Sequence, residues 1–288
     1  MQRHHAIIFV LAGALCMSFA ALIIRLIEHA DGFQILAYRS ITQASVVGLF
    51  ALYLSKQNVG DFLRKTDRID ALIAFFMMIA FGTYVLSLLN TSVASTLLIL
   101  SIAPVFAALI GWVVNNEPPN LIATISIITA IIGVIIMIED GFGGGRTIGN
   151  FLAVISALAF SMMLVTARRS KKSNVLKGNA LGALLSGIVA APIALGFSDG
   201  GLIIPLQDAG LSLLNGGLTI GLGILLISLA APHLPAHEVS LLVLLESILS
   251  PIWVWLILSE PISRAEVIGG ALVLFAVILL SFAGRLKH

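Results

Sequence analysis

The chain holds one cysteine, Cys16, inside an apolar run, which excludes a disulfide framework and a thiolate metal cluster and leaves the thiol as packing filler. Charge is equally scarce. Asp, Glu, Lys and Arg make up 10% of the 288 residues, against about a quarter in soluble domains. The formal net charge is only +2, and no block of basic residues abuts an aromatic cluster, so a nucleic-acid partner is set aside. There is no HExxH, no GxSxG and no paired aspartate within any apolar run, which argues against an enzyme, a resident metal or a cofactor. What is abundant is apolar surface, with 59% hydrophobic residues and a mean hydropathy of +1.09. No charged residue occurs between Asp70 and Glu117, a stretch long enough for two crossings at roughly 20 residues each.

Uncharged runs bounded by turn residues predict ten membrane-spanning helices, at about 6–26, 33–54, 71–89, 93–114, 121–138, 148–167, 179–197, 209–230, 239–258 and 267–283. The first run follows Arg3, His4 and His5 but lacks a small-residue cleavage site, so it reads as a span and not as a signal peptide. The connections at Asn90-Thr91-Ser92 and from Pro232 to Pro235 must be tight. With the N-terminus cytoplasmic, the inner segments hold Arg3, Lys56, Arg64, Lys65, Arg68, Arg168, Arg169, Lys171, Lys172, Lys177, Arg285 and Lys287. These are 12 of the 16 basic residues. The positive-inside rule therefore places both termini in the cytoplasm, which requires an even number of helices.

A shift of the chain by 143 residues superimposes Trp112, Glu117 and Pro118 on Trp255, Glu260 and Pro261 without a gap. The same shift pairs Ala14 with Ala157, Leu15 with Leu158, Ser18 with Ser161 and Arg25 with Arg168. Trp, Glu and Arg are rare here, so the repeat is real. Residues 1–141 and 142–288 form two halves of five spans, and an odd number of spans inverts the second half. Glu117 then faces the cytoplasm and Glu260 the outside.

Three segments carry a family likeness. Residues 90–118 open on Asn90-Thr91-Ser92, place Pro104 at mid-helix and Trp112 near the end, and close on Glu117-Pro118. Residues 235–261 run from Pro235 through Glu238, Glu246 and Pro251 to Trp255 and Glu260-Pro261, and Phe33 to Arg39 reads FQILAYR. They resemble the fourth helix, the ninth helix and the second-helix start of the drug/metabolite transporter superfamily, in its ten-helix EamA-type bacterial members. The resemblance implies a central cavity lined by helices one, three, four, six, eight and nine and opened alternately to the two sides. Helices five and ten would mostly pack the halves together. One departure stands out: Ser247 follows the mid-helix Glu246, where the pattern often has proline, so the kink would shift to Pro251.

Glu246 is the carboxylate at bilayer depth, where insertion costs roughly 2.5–3.5 kcal/mol and interior placement is expected. It either binds a substrate amine, takes up a proton or locks its helix to a neighbour, and Ser250 lies one turn on along the same face. Arg39 lies about six residues into the second span, on the order of 9 Å from its start. Snorkelling to the interface or pairing with backbone is preferred there over a substrate carboxylate clamp. Thr83, Ser87 and Asn90 form a helical stripe on the third span, and Ser212, Asn215 and Thr219 form another on the eighth. These are opposite walls of a cavity, or interhelical hydrogen bonds worth roughly 1–2 kcal/mol. Tyr84, Ser101, Ser18 and Ser161 are further cavity candidates, while Trp112 and Trp255 read as interfacial anchors. Pro104 and Pro251 are candidate gate hinges or static kinks. His233, His237 and Glu238 cluster before helix nine and read as a solvated loop end.

The expectation is an all-α membrane protein, a secondary transporter exporting an amino acid or related compound through the cytoplasmic membrane. Its partners would be the small-molecule substrate, protons and the lipid bilayer. The internal pseudo-dimer lets a monomer suffice. An importer of a vitamin, nucleobase or other cofactor precursor is the alternative, and a channel or membrane-embedded enzyme ranks below both. No repeated filter loop or charged ring supports a channel.

Overall fold

A computed structural model describes residues 2–56, 58–115, 121–143, 145–170, 175–234 and 236–283. Within these residues lie ten helices long and apolar enough to cross a membrane: Arg3–Arg25, Gly32–Ser55, Arg68–Asn90, Val93–Val113, Leu121–Glu139, Thr147–Arg168, Leu176–Phe197, Leu206–His233, Leu241–Leu258 and Arg264–Ser281. They are numbered below as spans 1 to 10. The described residues include no strand. A short helix, Val59–Arg64, joins spans 2 and 3.

Polar caps set the ends that hydropathy blurs. Span 3 begins at Arg68, ahead of the apolar run, because the Asp67 carboxylate accepts from the Asp70 amide and Asp70 reaches back to the Asp67 amide. Asp31 and Gln34 make the equivalent box at the start of span 2. The tight connection between spans 3 and 4 is two residues, Thr91 and Ser92, the latter capping span 4 through the Ser95 amide.

Three spans are interrupted. Span 1 divides into Arg3–Ser18 and Ala20–Arg25 at Phe19. Span 4 divides into Val93–Leu100 and Ala103–Asn115, just ahead of Pro104, whose missing amide frees the Leu100 carbonyl. Span 8 widens into a π-helical turn over Asn215–Gly221. Gly216 makes that turn possible, since a Cβ there would lie 2.0 Å from the Arg39 carbonyl oxygen of span 2. Span 9, by contrast, belongs to an unbroken helix, Ala236–Leu258, that runs through Pro251.

The packing has an internal two-fold pattern. Span 3 packs on span 6 as span 8 packs on span 1, span 4 on span 6 as span 9 on span 1, and span 3 on span 7 as span 8 on span 2. Spans 2 and 7, 4 and 9, and 5 and 10 pair with one another across the halves. Adding five to each span number maps this set onto itself, which is the signature of two five-helix repeats. Spans 5 and 10 meet backbone to backbone: a Cβ on Gly133 would lie 2.6 Å from the Gly269 carbonyl, and one on Gly269 would lie 2.5 Å from that of Gly133.

Candidate functional site

Spans 1, 8 and 9 form one wall and spans 3, 4 and 6 the other. At one end the walls are bolted together. Arg25, at the end of span 1, donates to the Thr91 carbonyl at 2.6 Å and pairs with Glu260 at 3.1 Å. Glu260 also accepts from the Val93 amide at the start of span 4. Beside it Glu266, 1% exposed, accepts from Ser92, from Ser95 at 2.9 Å and from the Ser263 amide at 2.7 Å, with Arg146 of the span 6 approach at 3.6 Å. One layer deeper, the Phe19 ring stacks on Trp253 at 5.3 Å, and the Trp253 indole donates to Ser18.

Toward the other end the walls part. Arg3–Ser18 packs on spans 8 and 9, whereas Ala103–Asn115 packs on spans 5, 6 and 10. The backbone of span 9 lies mainly against Val93–Leu100, and only Leu241 and Leu244 at this level join the apolar cluster that holds Ala103, Val105, Phe106 and Leu109 of the second segment. Span 9 is accordingly the least buried of the ten, at 17% against 67% for span 4. Over residues 241–249 only Leu244 is buried, so this helix meets solvent-accessible space on more than its lipid side. The Arg3–Glu238 pair at this end is 2.9 Å long but 68% exposed on the arginine, a weak tether between spans 1 and 9.

Glu246 lies in this parted half. Its carboxylate is half-buried and has no hydrogen-bond or ion-pair partner among the described residues. The lock to a neighbouring helix is thus absent in this conformation, although the next residue does make one, Ser247 meeting Ser101 at 2.8 Å.

Arg39 does not snorkel. Its side chain is 1% exposed, with Cζ 5.5 Å from the Phe81 ring centre and 5.7 Å from that of Tyr84. Gly216 of span 8 packs on its backbone carbonyl, and Nε donates to Gln43 at 3.3 Å.

The other expected residues divide into two groups. Several are engaged in joining helices. Ser87 bonds Thr96 and the Gly149 carbonyl, Ser161 donates to the Ala103 carbonyl at the break in span 4, and the Asn215 amide donates to the Ala20 carbonyl at the break in span 1. Thr219 and Thr83 donate within their own helices. Asn90 is exposed, bonded to its own helix and away from the rest of the stripe. Others are buried with polar atoms unpaired: the hydroxyls of Tyr84, Ser212 and Ser250 and Oδ1 of Asn215. Trp112 and Trp255 are exposed on the outer surface. The expected position of Glu117 lies outside the described residues, as does the side chain of His237.

Sequence reasoning missed the roles of Glu266, Ser92, Ser95, Gln43 and Trp253. A signal for Glu266 was present, since an acidic residue three positions after Ser263 is a capping pattern. The partners across the walls lie too far away in sequence to leave a local trace.

A family model described as the EamA-like transporter family matches residues 4–139 and, separately, residues 147–282. An uncharacterized transporter of Methanothermobacter thermautotrophicus is 26% identical over 204 residues, 68% of this chain. The match spans 59% of that relative's own length. A protein crystal structure shares the fold over 100% of both chains, with a TM-score of 0.66 and 18% identity.

Proposed function

The chain belongs to the EamA-like transporter family in both of its halves, and on that premise we propose that it is a secondary transporter of a small polar metabolite, working by alternating access. It is a multi-pass membrane transporter and not an enzyme, which in a bacterium or archaeon puts it in the cytoplasmic membrane. The finer reading is export of an amino acid or related compound, with the boundary near residues 141 and 142 separating the inverted halves.

The observation that supports this most is Glu246: an unpaired carboxylate at membrane depth, in a space bolted shut at one end and parted toward the other. Desolvating an unpaired charge is costly, so its retention there fits a group that meets a substrate amine or a proton. The distribution of Lys and Arg supports a cytoplasmic location for both termini. On that orientation the Arg25–Glu260 bolt closes the outer face, and the open half faces the compartment from which an exporter loads. Pro104 and Pro251, with the interruptions in spans 1 and 8, supply the flexing points. One chain suffices, since the two halves already provide the symmetry.

The test is counterflow in proteoliposomes carrying the full chain, with labelled amino acids, nucleobases and vitamins. A carrier accumulates label against unlabelled compound trapped inside, whereas a channel equilibrates it. Accumulation of an amino acid supports this reading, and accumulation of a vitamin or nucleobase alone would replace the substrate class.

A further inference from the structure

A guanidinium buried in a helix bundle is expected to have an anionic partner. Arg39 has none: among the described residues no carboxylate stands within ion-pair distance, and both terminal nitrogens lack a hydrogen-bond partner. Its one hydrogen bond runs from Nε to Gln43. The rings of Phe81 and Tyr84 stand near it, and such rings attract a cation without satisfying its N–H groups. What is left unsatisfied is therefore the fork of N–H donors.

The neighbouring orphans have the same character. Gln43 Nε2 is a donor, and the hydroxyls of Tyr84 and of Ser212, one turn before Gly216, can each donate. Against them stands a single orphan acceptor, Asn215 Oδ1. All five side chains are more than nine-tenths buried. Gln43 bonds the Arg39 guanidinium, Tyr84 stands 5.7 Å from it, and Ser212 and Asn215 lie on the stretch of span 8 whose Gly216 is pressed on the Arg39 carbonyl. A surplus of buried donors around a planar fork is matched by an acceptor-only, planar anion, which is a carboxylate. A dianion such as phosphate would bring a second charge that no further cation among these side chains matches.

We propose that Arg39 is the carboxylate-recognising subsite of the transport pathway, with Gln43, Tyr84 and Ser212 completing it, so that the transported class carries a carboxylate. The proposal rests on the transporter reading above.

The experiment has two arms on the purified full chain. Thermal unfolding in detergent is followed with acetate, L-leucine, L-phenylalanine and L-threonine, each against its carboxamide, since a ligand that binds the folded state raises the midpoint with concentration. Counterflow in proteoliposomes uses the same compounds. The expected result is stabilisation by at least one carboxylate and not by its amide. Arg39→Gln then raises the half-saturating concentration by roughly 10- to 100-fold, the worth of a charge-assisted hydrogen bond, and Arg39→Lys, which keeps charge but loses the fork, restores only part of it. Equal effects of acid and amide, no effect of any carboxylate, or discrimination that survives Arg39→Gln would overturn the proposal. If Arg39→Gln does not fold, Tyr84→Phe keeps the ring and removes the hydroxyl, and an unchanged half-saturation for every carboxylate counts against the site. Discrimination without transport would leave the site and remove the transporter reading; transport of a carboxylate-free compound by both wild type and Arg39→Gln would do the reverse.

Discussion

Arg25 and Glu260, 235 residues apart in the chain, meet at 3.1 Å and join the end of span 1 to the loop between spans 9 and 10. Because Glu260 also holds the Val93 amide, the pair fastens both walls of the pathway at one point. Under the 143-residue repeat these two positions correspond to Arg168 and Glu117, so the bolt is built from residues that the repeat itself singles out.

Removing that bolt should open the closed end. The pair is partly exposed, which puts its worth between that of a surface pair and a buried one, about 1–2 kcal/mol or roughly a tenfold shift in population. With Cys16 replaced by Ser, a cysteine at buried Val254, which lines the crevice beside Glu260, reports the change. Glu260→Gln should speed its labelling by an impermeant maleimide added from that end. An unchanged rate would show that the stacked Phe19 and Trp253 hold the end shut alone.

Glu266 should matter more for folding than for gating. It gathers two serine hydroxyls, a backbone amide and Arg146 in a fully buried position. Glu266→Ala leaves those donors unsatisfied, and a loss of about 2–4 kcal/mol is expected. Lys65→Ala, which breaks an exposed pair with Asp61 one helical turn away, should change stability by no more than about 0.5 kcal/mol. Thermal melts of the two variants side by side check the contrast.

Gly216→Ala should destabilise the protein, because the added carbon would sit 2.0 Å from the Arg39 carbonyl and force spans 2 and 8 apart. Overpacking of this kind costs about 1–3 kcal/mol or more. Gly82→Ala, with nothing within 4 Å, is neutral or gains up to about 1 kcal/mol from helix propensity. Equal melting temperatures for both would contradict the packing described at the π-helical turn.

Much of the architecture was legible because its cause is local. Twenty apolar residues between charges make a span whatever surrounds them, and the doubled Trp-(4)-Glu-Pro motif marked the repeat. The start of span 3, expected at 71, lies three residues earlier at Arg68 because the Asp67 cap extends the helix into polar sequence, whereas span 2 begins within one residue of its expected start. Glu246 was legible as a lone carboxylate in an apolar run. Arg39 was legible as a candidate and misread as a snorkelling side chain, since the Phe81 and Tyr84 rings beside its guanidinium come from span 3 and leave no trace in the local sequence. The stripe of Thr83, Ser87 and Asn90 has the right period, yet Ser87 is consumed by Thr96 and Gly149 and Asn90 sits at the exposed helix end. Periodicity assigns a face to a helix but does not say what that face meets.

The central claim is that Glu246 works in transport and is not a strut, and counterflow with Glu246→Gln in matched proteoliposomes tests it most directly. Having no hydrogen-bond or ion-pair partner among the described residues, the carboxylate should be replaceable by the amide with a melting temperature close to wild type, while accumulation of the transported compound falls at least tenfold. Wild-type accumulation by a well-folded Glu246→Gln protein would contradict the account and return the residue to a passive place on the cavity wall.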